Sequence, residues 1–309
     1  MAEDGSLQTV QDGETEPGWQ RLSSGAVTNI LTEAKRRRKK TFLSIISFDA
    51  DITDAIISDT EKRQRLINEI ITVVKDHDFD GVDVDFEYFP GDDNLADFGS
   101  QFNQFLQELK AALKKPNKAA VLSVDIYPKA LIYGWPYQLP ELGKIADQII
   151  IMAYDYTQSS ADNTGPVAPI KSQNEKEMSI VQTMKAALTQ IDKTKLILGI
   201  PLYGYEWRVV SEAPRSQTYW GSGEMASYAR VKELIKEKNL TVNWDEVAYS
   251  PWLTYREGWQ IKQIYFEDLK SLSGKIELAQ QLDLQGIAFW ALGYEGNHRE
   301  IWDLLKKKL

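Results

Sequence analysis

Apolar residues along the chain fall into short blocks, separated by longer stretches in which they recur every three or four positions. The short blocks are rich in Ile, Val, Leu and aromatic residues and are too short for buried helices, so they predict buried strands. Strands that alternate with helices are typical of a parallel sheet, and the predicted fold is an α/β barrel. The six predicted strands are residues 41–48, 79–88, 120–127, 148–155, 196–203 and 286–292.

Helical spacing of apolar residues predicts the elements between the strands. After Ser58, which forms a capping-box pattern with Glu61, one apolar stripe begins at Leu66, and another begins at Phe98. The basic run 35–40 ends a further predicted helix. Cations are favourable at helix C-termini, so we prefer a solvated structural role for this run over a polyanion site.

The segment 205–280 interrupts the alternation of strands and helices. It carries five of the nine tryptophans and a hairpin-like pattern around Glu257 and Gly258. We interpret it as an inserted α+β subdomain between the last two strands, with residues 1–204 and 281–309 forming the barrel.

Composition limits the classes of function. The formal net charge of −9, from 45 acidic and 36 basic side chains, repels polyphosphate and argues against nucleic acid as a partner. With no cysteine and only two histidines, no metal centre is expected, and no cofactor is predicted. No apolar stretch reaches the ~20 residues of a membrane helix, and the first residues lack the pattern of a secretion signal. We expect a monomer.

The strand 79–88 carries the candidate chemistry. Its two-residue periodicity places Asp83, Asp85 and Glu87 on one face and apolar residues on the other. The apolar face must pack against helices, so the three carboxylates point into the barrel, where unpaired charge is costly to bury. A buried polar network that anchors the barrel is the alternative, and a calcium loop is disfavoured because the interleaved Val and Phe belong to a strand. A catalytic site explains the triple array better.

Carboxylates two positions apart on one strand lie on the same side of a bound sugar, about 6.6 Å apart at Cα. They therefore do not flank a glycosidic bond as the carboxylates of most glycosidases do. Instead, negative Asp85 is expected to raise the pKa of Glu87 by like-charge repulsion and to keep it protonated for transfer to a leaving oxygen. A neighbouring acetamido group can supply the nucleophile while Asp85 accepts its N–H. N-acetylhexosamine substrates are thus favoured.

The pattern Asp80-Gly-x-Asp-x-Asp-x-Glu87 resembles the signature of glycoside hydrolase family 18, the chitinases and their relatives. Three later strands resemble the family's sixth, seventh and eighth strands, so the resemblance covers residues 41–303. Segment 265–275 and the ending around Trp290 are most similar to the branch of bacterial spore-cortex and cell-wall N-acetylglucosaminidases. The resemblance implies a TIM (β/α)8-type barrel and substrate-assisted, retaining cleavage of β-1,4 bonds in chitin-type or peptidoglycan-type polysaccharide.

The resemblance also implies roles for individual residues. Glu87 is the implied acid and later base, Asp85 orients the acetamide, and Asp83 tunes Asp85 from below. Tyr154 is implied to hydrogen-bond the acetamide carbonyl oxygen, and Trp290 to form the floor beneath the sugar ring. Core packing is the alternative for each of the isolated strand aromatics. The remaining implied sugar-binding residues are Asp155, Tyr203, Met152 and Ser44.

Three features depart from the family pattern. No apolar run of strand length precedes residue 41, so the first two β/α units are missing, and we prefer an N-terminally truncated sequence over an incomplete barrel as the explanation. The sequence Ser-Ile-Ile-Ser from Ser44 replaces the usual Ser-x-Gly-Gly. Asp125 occupies a position where relatives often carry a small residue, and it shares a face with Ser123 and Tyr127. It is a candidate extra ligand or pKa perturbation.

A hydrolase and a lectin-like binding protein of the same fold are the two functions left open. Binding-only relatives commonly lose the acid, so the presence of Glu87 with Asp83, Asp85 and Tyr154 favours catalysis. The expected partner is an oligo- or polysaccharide that contains N-acetylglucosamine. The family resemblance suggests an extracellular or cell-wall location, although no signal peptide is visible. Chitin, peptidoglycan and N-glycan substrates, and exo or endo cutting, stay open because loops set them.

Overall fold

The computed structural model divides the chain into two compact units, Met1–Ile149 and Ile150–Leu309. The boundary between them falls within the strand Gln148–Ile151. Tyr88, which ends the second predicted strand, lies outside the part of the chain that the structure describes. The described residues are 1–11, 13–87, 97–174 and 177–308.

The first unit contains the first three predicted strands and the start of the fourth, each shorter than predicted, with helices between them. A hairpin of two-residue antiparallel strands precedes them, and the basic run begins in the last turn of the second helix, at Lys35 and Arg36. The strands are β1 (Val10–Gln11), β2 (Glu14–Thr15), β3 (Phe42–Ser47), β4 (Gly81–Phe86), β5 (Val121–Ile126) and β6 (Gln148–Ile151). The helices are α1 (Pro17–Leu22), α2 (Gly25–Arg36), α3 (Ala50–Ser58), α4 (Thr60–Asp76), α5 (Phe98–Lys114), α6 (Pro128–Tyr133) and α7 (Leu139–Ile145).

The packing of β4 separates its two faces as the alternation predicts. Val82, Val84 and Phe86 are at most 1% exposed. The Phe86 ring centroid lies 5.6 Å from that of Phe105 and 5.9 Å from that of Phe102, both on α5. This apolar contact holds one face of β4 against the helix, so the alternate residues of the strand point to the opposite face.

The start of α4 differs from the prediction, because the capping-box assignment was wrong. Ser58 is the last residue of α3, and Asp59 is the N-cap of α4. Its Oδ1 atom accepts the backbone N–H groups of Glu61 at 2.8 Å and Lys62 at 3.0 Å. Two helices follow each other without a loop here, so Ser58 remains helical and the next residue takes the capping role.

The second unit contains the last two predicted strands and an antiparallel sheet. The strands are β7 (Leu196–Pro201), β8 (Tyr203–Val209), β9 (Glu224–Ser227), β10 (Asn243–Asp245), β11 (Ser250–Glu257), β12 (Gln260–Tyr265) and β13 (Gly286–Trp290). The helices are α8 (Ile180–Leu188), α9 (Tyr228–Lys238), α10 (Leu269–Gln281) and α11 (Glu300–Lys308), with a 3₁₀ turn at Lys193–Lys195.

Within this unit β7 and β13 pair in parallel, with Trp290 opposite Pro201. The antiparallel sheet has the order β10-β11-β12-β8-β9. The predicted hairpin joins β11 to β12, with Glu257 opposite Gln260. One face of this sheet forms a core with α9 through residues such as Leu253 and Ile264. The boundaries 205–280 of the inserted subdomain stay a prediction.

Six parallel strands have the order β13-β7-β6-β5-β4-β3. The α/β fold class is therefore confirmed, with all six predicted strands in place. Across the described ranges, β3 and β13 are edge strands, so the sheet is open and these six strands do not close a barrel. The only strands described before residue 41 are the two short ones of the hairpin.

Substitution of Gly81 by Ala is expected to destabilise the protein by about 1–3 kcal/mol, because the added Cβ overpacks the contact between two strands. That Cβ would lie 2.2 Å from the backbone oxygen of Val121 and 2.8 Å from Cδ1 of Phe42. Gly25→Ala is the matched control, since nothing lies within 4 Å of its added Cβ. Urea unfolding compares the two variants, and equal midpoints would contradict the close packing of β4.

Candidate active site

Strand pairing places the first carboxylate, Asp83, between two serines. It lies opposite Ser44 on β3 and opposite Ser123 on β5. Burial raises the pKa of Asp83, and the two neighbouring hydroxyls partly oppose that shift. The Ser44 hydroxyl donates to Oδ2 of Asp83 at 3.4 Å, which is a long hydrogen bond. The Ser123 hydroxyl lies near Asp83 but forms no hydrogen bond of normal geometry with any described residue.

Asp85 is the least exposed of Asp83, Asp85 and Glu87, at 4% exposure. Its Oδ1 atom has no hydrogen-bond partner among the described residues. Burial, together with the charges of Glu87 and Asp83, raises the pKa of Asp85 to about 7. In the free protein Asp85 therefore holds a proton up to about neutral pH. The sequence predicted a negative Asp85 beside a protonated Glu87. That is only one of the protonation states available to these neighbouring carboxyl groups, which share their protons.

The peptide that joins Phe86 to Glu87, at the end of β4, is held at both its carbonyl and its N–H. The Glu87 N–H donates to the backbone oxygen of Ser47 on β3 at 2.9 Å. The preceding carbonyl, that of Phe86, accepts a buried hydrogen bond from the Tyr137 hydroxyl at 2.6 Å. Tyr137 is itself packed on Phe102, with ring centroids 5.4 Å apart. Sequence analysis missed Tyr137, which lies in the loop before α7, where no local pattern marks it.

Asp125 on β5 and Tyr127, directly after that strand, extend the group of acidic and polar side chains. Oδ1 of Asp125 is buried without a hydrogen-bond partner in the described ranges. Burial raises the pKa of Asp125 well above its usual value, and the charges of Asp83, Asp85 and Glu87 add to the shift. Burial and the charge of Glu87 also raise the pKa of Tyr127. Within the described part of the chain, no group of three or more His, Asp or Glu residues is arranged to hold a metal ion.

In the second unit, Asp155 is the centre of a cluster of tyrosines. Its backbone is left-handed, with φ of 56°. Its Oδ1 atom accepts hydrogen bonds from the hydroxyls of Tyr203 at 2.5 Å and Tyr205 at 3.1 Å. Burial raises the pKa of Asp155, and these two hydrogen bonds oppose the shift. Sequence analysis missed Tyr205, although the alternation along β8 would place it on the same face as Tyr203.

Tyr154 lies against the backbone of β7 because position 199 is a glycine. A Cβ on Gly199 would meet Cε1 of Tyr154 at 3.2 Å and the backbone oxygen of Ile151 at 2.6 Å. The rings of Tyr154 and Tyr203 are nearly perpendicular, with centroids 6.2 Å apart. The position of Tyr154 therefore depends on the absence of a side chain at Gly199 and on its contact with the ring of Tyr203.

The structure thus brings together two sets of the sequence-predicted residues, each within its own unit. Met152 is buried, and Trp290 is 46% exposed at the end of β13. The roles of all these residues stay predictions. The first set contains Ser44, Asp83, Asp85 and Glu87, and the second contains Tyr154, Asp155 and Tyr203.

Comparison with known proteins identifies related chains. The sequence model described as Glycosyl hydrolases family 18 matches residues 6–295. An uncharacterized glycosylase, YvbX, of Bacillus subtilis (strain 168) is 27% identical over 91% of this chain and 78% of its own length. A cortical fragment-lytic enzyme of the same organism is 25% identical over 80% of this chain. The matched region spans only 54% of that enzyme.

Solved structures share the fold. A putative sporulation-specific glycosylase, ydhD, of Bacillus subtilis superposes with a TM-score of 0.74 at 23% identity, covering 94% of this chain and 89% of the other. A group IV chitinase of Ostrinia furnacalis gives a TM-score of 0.86 at 20% identity, covering 100% and 89%. At these identities the similarity shows the fold alone. No helix in the described residues has the length and apolar character needed to cross a membrane.

Asp85→Asn is expected to gain stability relative to the parent protein as pH rises. The pKa of Asp85 is raised from 3.8 to about 7 on folding, so the folded state keeps a proton that the unfolded state releases between these values. Stability of the parent therefore falls as pH increases through this window. The Asn side chain does not ionise, so the variant does not lose stability in this way. The loss in the parent's free energy of unfolding is at most about 4 kcal/mol.

Urea unfolding at several pH values from 2 to 8 measures this difference and includes the range below pH 4 in which the control titrates. Asp147→Asn is the control of opposite sign. Although burial opposes it, hydrogen bonding and charge from Lys110 hold the pKa of Asp147 below its usual value. The control is expected to lose stability relative to the parent as pH rises. A pH-independent difference for Asp85→Asn would refute the raised pKa.

Proposed function

Because the chain belongs to glycosyl hydrolase family 18 and is a glycosidase, we propose that it cleaves β-1,4 bonds next to N-acetylglucosamine in chitin-type or peptidoglycan-type polysaccharide. The observation that carries the proposal is the position of Asp85, almost fully buried two residues before Glu87, with its pKa raised to about 7. A carboxyl pair that holds a proton near neutral pH is suited to general acid catalysis.

The first step of the proposed mechanism uses the proton of Glu87. Glu87 transfers it to the glycosidic oxygen while the C1–O bond breaks. The carbonyl oxygen of the substrate's own 2-acetamido group attacks C1 from the opposite side and forms a cyclic oxazolinium. Asp85 accepts the hydrogen bond of the acetamido N–H, which orients the amide and stabilises its positive charge.

The second step restores the acid. Glu87, now a carboxylate, removes a proton from a water molecule, and the oxygen of that water attacks C1 as the oxazolinium ring opens. The product has the configuration of the substrate, because two inversions occur at C1. Asp83 lies below Asp85 on the same face of β4, so its charge state influences how readily Asp85 ionises.

Several further observations support this substrate class. Relatives include proteins named as a cortical fragment-lytic enzyme and as chitinases. In the second unit, the exposed ring of Trp290 suits stacking on a sugar, and Tyr154 and Asp155 carry groups that hydrogen-bond to sugars. The same resemblance proposes Tyr203, Met152 and Ser44 as further sugar-binding residues.

Glu87→Gln is expected to lower kcat by about 10²–10⁴-fold with little change in KM, because the amide cannot donate the proton. Release of the fluorophore from a chitobiose-type substrate measures the effect, and release of reducing ends from purified peptidoglycan and chitin compares substrates. Glu141→Gln is the control, since its partner is the exposed Lys144. Equal rates for Glu87→Gln and the parent would refute the acid assignment.

A substrate analogue tests the role of the acetamido group separately. The parent is expected to cleave the N-acetylated fluorogenic substrate and to leave the corresponding glucose substrate uncut, because the latter lacks the nucleophile. Equal rates on both would refute substrate assistance. Saturable binding of chitooligosaccharide without turnover would instead support the lectin-like alternative.

A further inference from the structure

Asp125 is an acidic residue beside the candidate site that the proposed mechanism does not use. The parallel ladder between β4 and β5 pairs Asp83 with Ser123 and Val84 with Val124. The next residue along each strand is Asp85 on β4 and Asp125 on β5. Neighbouring strands are about 4.8 Å apart, so the two carboxyl groups are side-chain neighbours on one face of the sheet.

Both carboxyl groups have a buried oxygen with an unmet hydrogen-bonding requirement. Oδ1 of Asp85 and Oδ1 of Asp125 are each closed off from solvent, and neither has a partner in the described ranges. Two adjacent carboxylates in such a place repel each other, and each also lacks a donor. A single proton between them relieves the repulsion and supplies the missing donor.

We infer that Asp125 is a positioning residue that holds a proton and donates it in a hydrogen bond to the carboxylate of Asp85. This inference rests on the proposed function, because Asp85 is the residue through which Asp125 acts. The proton stays within the pair, so no other reactant is required. Held in this way, Asp85 presents its other oxygen to the acetamido N–H.

The electrostatics of the group agree with this arrangement. Burial raises the pKa of Asp125 well above its usual value, and the charges of Asp83, Asp85 and Glu87 act in the same direction. An ionised Asp85 therefore favours a neutral Asp125. The titratable groups that act on Asp125 from β4 are Asp83, Asp85 and Glu87. Its own strand is followed by Tyr127, and β6 carries no titratable side chain.

Two substitutions test whether Asp125 acts as a hydrogen-bond donor to Asp85 or only fills space beside it. Asp125→Ala removes the donor, so Asp85 becomes harder to ionise. The acid limb of the kcat–pH profile is expected to move up by about 0.5–1 pH unit, and kcat to fall about tenfold with little change in KM. Asp125→Asn keeps an N–H donor, so its acid limb is expected to stay near that of the parent. Asp147→Asn controls for the loss of one carboxylate.

Kinetics on the chitobiose-type substrate from pH 4 to 9 give the first readout. An acid limb that shifts in Asp125→Ala and is restored in Asp125→Asn supports the inference. Unshifted acid limbs in both variants, with or without a lower melting temperature, would overturn it, since a purely structural residue does not change the ionisation of Asp85.

Infrared spectroscopy gives a second readout that needs no turnover. At pH 9, where Asp85 is ionised, the parent is expected to show the carbonyl stretch of a protonated carboxyl that is absent from Asp125→Asn. The titration of Asp85, identified with Asp85→Asn, is expected to move up in Asp125→Ala. If the parent cleaves no substrate but both infrared results hold, the proposed function fails and the proton on Asp125 stands. Identical spectra for the parent and Asp125→Asn would overturn the inference.

Discussion

The apolar contact between β4 and α5 is the constraint on which the candidate site depends. Phe86 packs on Phe105 and Phe102, and Val82 and Val84 are fully buried on the same side. When one face of a strand is buried in such a core, the alternate residues of the strand must point to the opposite face. The acidic residues are therefore forced together on the other face, whatever their mutual repulsion, and the fold bears an electrostatic cost there.

The protein handles buried carboxylates in two different ways. In the second unit, Glu206 is buried but accepts hydrogen bonds from Arg230 at 2.5 Å and Tyr255 at 2.7 Å. These partners outweigh burial and hold the pKa of Glu206 below its usual value. On β4, burial and neighbouring carboxylates act in the same direction and raise the pKa of Asp85. Retained protons, rather than cations, neutralise this site, and retained protons are available for transfer.

Sequence patterns predicted what depends on local periodicity and missed what depends on distant partners. The six strands and the two faces of β4 follow from alternation over a few residues, and the structure confirms them. The hydrogen bond from Tyr137 to Phe86 joins residues 51 positions apart, and that from Tyr205 to Asp155 joins residues 50 apart. No local pattern contains such pairs. The N-cap at Asp59 was missed for another reason, because two helices meet there without a loop.

The supports around Glu87 limit how the site can change state. The peptide group before Glu87 is held by Tyr137, and its own N–H is held by Ser47. A peptide held by two hydrogen bonds leaves side-chain torsions and proton positions as the local variables at the end of β4. With several carboxyls close together, moving one proton changes the charge that each of the others experiences. The distribution of protons among Asp83, Asp85, Glu87 and Asp125, more than any movement of the strand, therefore sets the chemical state of the site.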